Sequence, residues 1–167
     1  MTELFAAVRA IAYMTGFVLL WGWLALQARS VAGGLPLPAG SRVAGTLLMV
    51  LGGVLVVSCA AWFVVAGRGT PAPFDPPRSL VPQGPYRWVR NPMYLGALVV
   101  LIGFGLWHAS WSMILVALPA AALAHLFVVL YEEPTLRRRF GPQYVAYSAL
   151  VNRWVPKPPG RDAGRAA

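Results

Sequence analysis

Residues 91–131 read NPMYLGALVVLIGFGLWHASWSMILVALPAAALAHLFVVLY, 41 residues without a formal charge, bounded by Arg90 and Glu132. A helix that crosses a bilayer needs about 20 apolar residues, so this run is long enough for two. Its natural break is Trp107-His108-Ala109-Ser110-Trp111, where polar groups flanked by tryptophans resemble an interfacial turn. Two further uncharged runs precede it: 19 residues between Arg9 and Arg29, and 25 between Arg42 and Arg68. The expectation is an all-α membrane bundle with spans at about 8–28, 43–66, 92–107 and 111–131. The third span is short.

Composition agrees with this reading. Of the 167 residues, 58% are hydrophobic and 11% charged, against roughly a quarter charged in soluble domains. Unpaired backbone in hydrocarbon forces such runs into helices. No small-residue cleavage site follows the first run, which reads as a retained span. With four spans, the N-terminus, the 67–91 loop and the tail share one side and hold 12 of the 14 basic residues. The positive-inside rule then places both termini in the cytoplasm, and the expected location is a plasma membrane of prokaryotic type. Arginines that flank spans explain the net charge of +9 through topology and anionic headgroups, without nucleic acid. The single Cys59 supports neither an intrachain disulfide nor a metal site. Oligomeric state leaves no trace in the sequence.

A single domain is expected over 1–157, with a disordered tail at 158–167. The 29–42 connection reads as a short external loop. The 67–91 loop carries six prolines, which forbid regular helix, yet keeps Phe74, Leu80, Val81, Tyr86 and Trp88. That mixture suits an ordered loop packed against the bundle. Residues 135–151 carry one apolar stripe, Leu136, Phe140, Tyr144, Tyr147 and Val151, interrupted at Gly141-Pro142. The stripe predicts C-terminal helices lying at the cytoplasmic interface. Gly96 and Gly103 share a face of the third span and permit close helix contact.

Two segments carry candidate chemistry. The first is Gly84-Pro85-Tyr86-Arg87-Trp88-Val89-Arg90-Asn91-Pro92-Met93-Tyr94-Leu95-Gly96. Asn91 suits an N-cap and Pro92 a first helical position, and a helix start is an anion-accepting site flanked here by Arg87 and Arg90. The second is Tyr131-Glu132-Glu133-Pro134. Adjacent helical side chains diverge by about 100°, so one glutamate is expected to face inward and the other the headgroups. In four-span topology both segments lie at the same depth. Arginines, helix N–H groups, tyrosines and a carboxylate suit a zwitterionic or polyhydroxylated ligand. His125, seven residues before Glu132, is an ionisable group within the membrane and a functional candidate.

These segments resemble the signature of the isoprenylcysteine carboxyl methyltransferase and phospholipid methyltransferase group of membrane enzymes. The resemblance runs from Leu80 to Pro156, through Gly-Pro-Tyr-Arg-x-Val-Arg-Asn-Pro-Met-Tyr-x-Gly at 84–96. It continues through Glu132-Glu133-x-x-Leu136-x-x-x-Phe140-Gly141-x-x-Tyr144-x-x-Tyr147-x-x-x-Val151-x-Arg153-x-x-Pro156. It implies S-adenosyl-L-methionine as cofactor and a lipophilic or small-molecule acceptor (carboxylate, thiol or amine) reaching the cytoplasmic face. Arg87, Arg90, Asn91, Tyr94, Gly96, Glu132, Glu133, Tyr144 and Tyr147 would then bind the cofactor, with Arg90, Glu133 and Arg153 in catalytic roles and no metal. Asn91 stands where many members have histidine, which removes any role needing an imidazole. Positioning is the main task for a donor already activated, and alignment can supply about 7–11 kcal/mol. Only an amine or hydroxyl acceptor would need a general base. Competing readings are a membrane NADPH-dependent reductase of sterol-reductase type, which shares an Arg-x-Pro-x-Tyr-x-Gly pattern, and a non-catalytic membrane scaffold.

Overall fold

A computed structural model describes residues 3–32, 37–38, 40–65 and 79–158. Residues 67–78 of the 67–91 loop, with Arg68 and Arg78, and residues 159–167 of the tail lie outside the described residues. The described chain is all-helical. It comprises α1 (Glu3–Ala32), α2 (Ser41–Val65), a short 3-10 turn (Gly84–Arg87), α3 (Pro92–Trp107), α4 (Trp111–Leu115), α5 (Ala117–Phe127), a π-helical turn (Val128–Glu132), α6 (Glu133–Phe140) and α7 (Pro142–Leu150). Helix α1 reaches beyond Arg29, so part of the expected 29–42 loop is helical.

The break at 107–111 falls where the tryptophan-flanked polar residues stand. Ala109 takes φ +51°, the Ser110 amide donates to the Gly105 carbonyl at 3.0 Å, and α4 turns back against α3. From Trp111 to Phe140 the chain forms one helix of 30 residues, longer than the expected 111–131. Its two irregularities precede prolines. Proline lacks an N–H and its ring crowds the carbonyl four residues earlier. For Pro119 that residue is Leu115, where α4 ends; for Pro134 it is Leu130, inside the π-turn. The wider π-turn accommodates Pro134 without ending the helix, where an end near Tyr131 was expected.

Two helices, Ser41–Phe63 and Trp111–Phe140, are long and apolar enough to cross a bilayer. Helix α3 has 16 residues, about 24 Å. Large apolar side chains cover the outside: Val43, Leu47, Val50, Leu51, Val54 and Val57 on α2 and Leu118, Leu123 and Leu126 on α5 are all exposed. Contacts between helices use small residues instead, as packing in lipid favours.

The tightest contact is antiparallel, between α2 and α3. Gly45 and Gly52, seven apart like Gly96 and Gly103, supply the second half of a glycine seam. A Cβ built on Gly45 would stand 2.5 Å from the Gly103 carbonyl oxygen, and one on Gly52 would stand 2.6 Å from that of Gly96. From the other side, a Cβ on Gly103 would meet the Gly45 oxygen at 2.7 Å. Only backbones fit here. A second core joins α1 to the α3–α5 hairpin through Ala25, Leu101, Met113, Ala117 and Ala120.

The apolar stripe of 135–151 turns inward. Tyr144, Tyr147 and Val151 are buried with Leu80, Leu136 and Phe140 packed on them. Gly141, at φ +51°, bends α6 away from α7, so the stripe closes on itself and on the 80s segment. In the described part of the 67–91 loop, Tyr86 and Val81 pack on Cys59 with Trp62 and Phe63 alongside, the Phe63 and Tyr86 rings meeting edge-on at 5.2 Å.

The glycine seam yields a paired expectation. Gly103→Leu should lower stability in detergent by about 1–3 kcal/mol through overpacking. Gly53→Ala, where no atom lies within 4 Å of an added Cβ, should be neutral or slightly stabilising given the higher helix propensity of alanine. Thermal melting followed by size-exclusion chromatography separates the two.

Candidate active site

The site begins with backbone. Residues 88–90 run antiparallel to 152–157: the Arg90 amide donates to the Asn152 carbonyl at 2.9 Å, and the Lys157 amide to that of Trp88 at 2.9 Å. The tail is therefore fixed through Lys157. Asn91, 6% exposed, departs from its expected role. It precedes α3 but makes no side-chain cap; its Nδ2 instead donates to the Arg153 carbonyl at 3.1 Å. The first-turn N–H groups of α3 thus keep no side-chain acceptor, and Asn91 serves as a strap between two segments.

On this frame sits a buried ionic cluster. Glu133 is 5% exposed and receives both arms of Arg153, Nε to Oε1 at 2.6 Å and an Nη to Oε2 at 2.9 Å. Arg90 approaches the same Oε1 at 3.3 Å. Two guanidinium groups face one carboxylate, leaving an excess of one positive charge. The Nε of Arg90 is buried with no hydrogen-bond partner, a costly state for a donor. The Arg153 pKa is raised by its bond to Glu133.

Tyrosines line the cluster. Tyr147 donates to the Tyr86 carbonyl at 2.7 Å, and the Tyr144 ring lies 6.2 Å from that of Tyr147. Burial raises the pKa of both hydroxyls, with Glu133 adding to the effect at Tyr144 and Tyr144 at Tyr147; Arg90 opposes it at both. At neutral pH they are phenols that donate hydrogen bonds, not bases.

One turn inside α3, Tyr94 donates to Glu132 Oε2 at 2.9 Å. Both glutamates therefore have partners within the protein, correcting the expectation that one would face the headgroups. Each reaches a different partner, as their angular separation requires. The π-turn that ends at Glu132 rotates both relative to the helix upstream. Trp154 extends the second pair: its ring lies 6.3 Å from that of Tyr94, and its indole N–H donates to His125 Nδ1 at 3.0 Å.

Arg90, Asn91, Glu133, Tyr144, Tyr147 and Arg153 thus converge in one cluster, and Tyr94 and Glu132 form a neighbouring pair. Two of the expected residues stand apart. Arg87 is exposed, and Gly96 turns to α2, where an added Cβ would lie 3.0 Å from the Gly52 oxygen. Trp154 was missed. Its only sequence signal is position, next to Arg153.

A helical bundle whose outer surface is apolar, yet which buries a glutamate, Glu133, against two arginines, is that of an integral membrane protein with a polar site. More narrowly, the chain belongs to the phospholipid methyltransferase family, which matches residues 41–143, more than half of it. It is similar to Protein-S-isoprenylcysteine O-methyltransferase A of Arabidopsis thaliana, with 29% identity over 122 residues. That match covers 66% of this chain and 57% of the relative, so the chain spans little more than half of the relative's length.

Removing the Tyr147 hydroxyl leaves the buried Tyr86 carbonyl unpaired, at a cost of about 1–3 kcal/mol. Tyr147→Phe should therefore melt at lower temperature than the parent. Val145→Ala, at an exposed position on the same helix, should stay within about 0.5 kcal/mol. Equal melting points for Tyr147→Phe and the parent would remove this bond from the account of the site.

Proposed function

We propose that the protein is an S-adenosyl-L-methionine-dependent methyltransferase of the membrane, acting on a lipophilic or small acceptor (carboxylate, thiol or amine) at the cytoplasmic face. The observation that carries this reading is the meeting of two segments distant in sequence, 84–94 and 132–154, in one buried cluster with an unpaired donor. In its favour are family membership and the four apolar helical runs, taken as four spans. Arginine-rich loops on one side support cytoplasmic termini.

The residues fit such a cofactor. The excess positive charge of Arg90 and Arg153, the open Nε of Arg90 and the uncapped start of α3 suit an amino-acid carboxylate. Glu133 is already saturated by two arginines, so in this reading it holds them in place. Glu132, bonded only to a neutral phenol among the described residues, is the carboxylate assigned to an ammonium or ribose hydroxyls. Tyr144 and Tyr147 stay protonated and orient their neighbours as donors. The bound cofactor supplies a methyl group on a sulfonium, and the chain's task is to hold both reactants in line and keep water away. With the tyrosines protonated, Glu133 ion-paired and Glu132 assigned to the cofactor, none of these groups is left over as a general base. A pre-ionised acceptor is the simplest partner.

Isothermal titration of the purified protein with S-adenosylhomocysteine tests this reading. Binding is expected, and Arg90→Ala and Glu133→Gln should each weaken it by about tenfold or more, the worth of a charged hydrogen bond. Glu133→Gln also strands two guanidinium groups; breaking a buried pair costs about 3–5 kcal/mol, less here because the Arg153 side chain is 33% exposed. Folding is therefore checked in parallel. Binding of NADPH in place of S-adenosylhomocysteine would move the protein to the reductase reading, and binding of neither would favour a scaffold.

A further inference from the structure

His125 lies on an apolar, outward-facing strip of α5. It is exposed, with Leu118 and Leu126 exposed on the same helix and only alanines, Ala121 and Ala122, one turn before it. A polar ring facing hydrocarbon is disfavoured unless it has work there. The ring is not free to choose its chemistry. Its Nδ1 accepts the Trp154 indole N–H at 3.0 Å, and indole can only donate. The Nδ1 lone pair is thereby committed, and the ring's own N–H must sit on Nε2. In this arrangement His125 presents a hydrogen-bond donor at Nε2.

The latch that fixes it belongs to the site. Trp154 follows Arg153, whose side chain holds Glu133 and whose carbonyl receives Asn91; on its other side Trp154 meets Tyr94, the partner of Glu132. A donor set on the bilayer side of this cluster complements an oxygen that only accepts.

We propose that His125, oriented by Trp154, determines acceptor specificity by donating from Nε2 to an anionic oxygen, carboxylate or phosphate, on an acceptor that enters from the bilayer. The word acceptor rests on the methyltransferase reading; the donor chemistry does not.

The chain has two histidines, so selective 15N-histidine labelling in phosphatidylcholine nanodiscs gives two resolvable rings, assigned by His125→Gln. His125 should show the Nε2–H tautomer, and Trp154→Phe should convert it to a mixture. Dodecanoate or dodecyl phosphate should shift the Nε2 signal, telling carboxylate from phosphate by which binds more tightly. Dodecylamine should leave it in place. His125→Phe should weaken binding of the better anion by about 10- to 100-fold, with His125→Gln, which retains a donor, recovering most of the loss. Affinity for S-adenosylhomocysteine should be the same in both variants. An Nδ1–H or mixed tautomer in the parent, an equal response to dodecylamine, or loss of S-adenosylhomocysteine binding in His125→Phe would each overturn the proposal. A parent that binds no S-adenosylhomocysteine would instead count against the methyltransferase reading, while the anion response would still decide the role of His125.

Discussion

A buried carboxylate held by two arginines organises everything at this end of the protein. Glu133 ties together three pieces of chain: the segment before α3 through Arg90, the last part of the long Trp111–Phe140 helix through itself, and the C-terminal strap through Arg153. The desolvation cost of such a group is repaid only when its geometry is excellent and its lone pairs are filled. The two-armed contact of Arg153 meets that demand. Arg90 is left partly unsatisfied. A cluster built for stability alone would have no use for a buried donor without a partner or for a surplus charge, and this asymmetry is what makes it read as a site.

The glycine seam and the ionic cluster are mechanically linked. Gly52 against Gly96 draws α2 to within backbone contact of α3 only a few residues from Asn91 and Tyr94. The end of α2 then provides Cys59, Trp62 and Phe63 as the floor for Tyr86, whose carbonyl is the acceptor for Tyr147. Apolar packing with no polar content thereby sets the position of a polar site, through one helix start and one short 3-10 turn.

Much of this was legible in the sequence because it rests on local rules. Charge-free runs gave the helices, Pro92 the start of α3, the tryptophan-flanked turn the hairpin, and Gly141-Pro142 the bend between α6 and α7. What was not legible depends on partners far along the chain. Asn91 has the chemistry of a cap, but a carbonyl from residue 153 competes for it and wins. The partnership of Gly45 and Gly52 with Gly103 and Gly96 needs the antiparallel register of two helices. The π-turn arises from Pro134, yet a proline equally permits a helix end, and only the continuing helix beyond it shows which outcome prevailed.

That π-turn explains how neighbouring glutamates acquire different tasks. In an unbroken α-helix, Glu132 would share a face with His125, seven residues earlier, and the two could serve one ligand from a single stripe. The extra residue in the turn shifts the register between them, and Trp154 from the tail contacts His125 directly. Glu133 is delivered to the arginines and Glu132 to Tyr94. One carboxylate becomes part of the scaffold, neutralised on both oxygens; the other keeps a neutral partner and therefore its capacity to meet a cation. The division follows from a single proline acting on backbone geometry, with the two residues chemically identical.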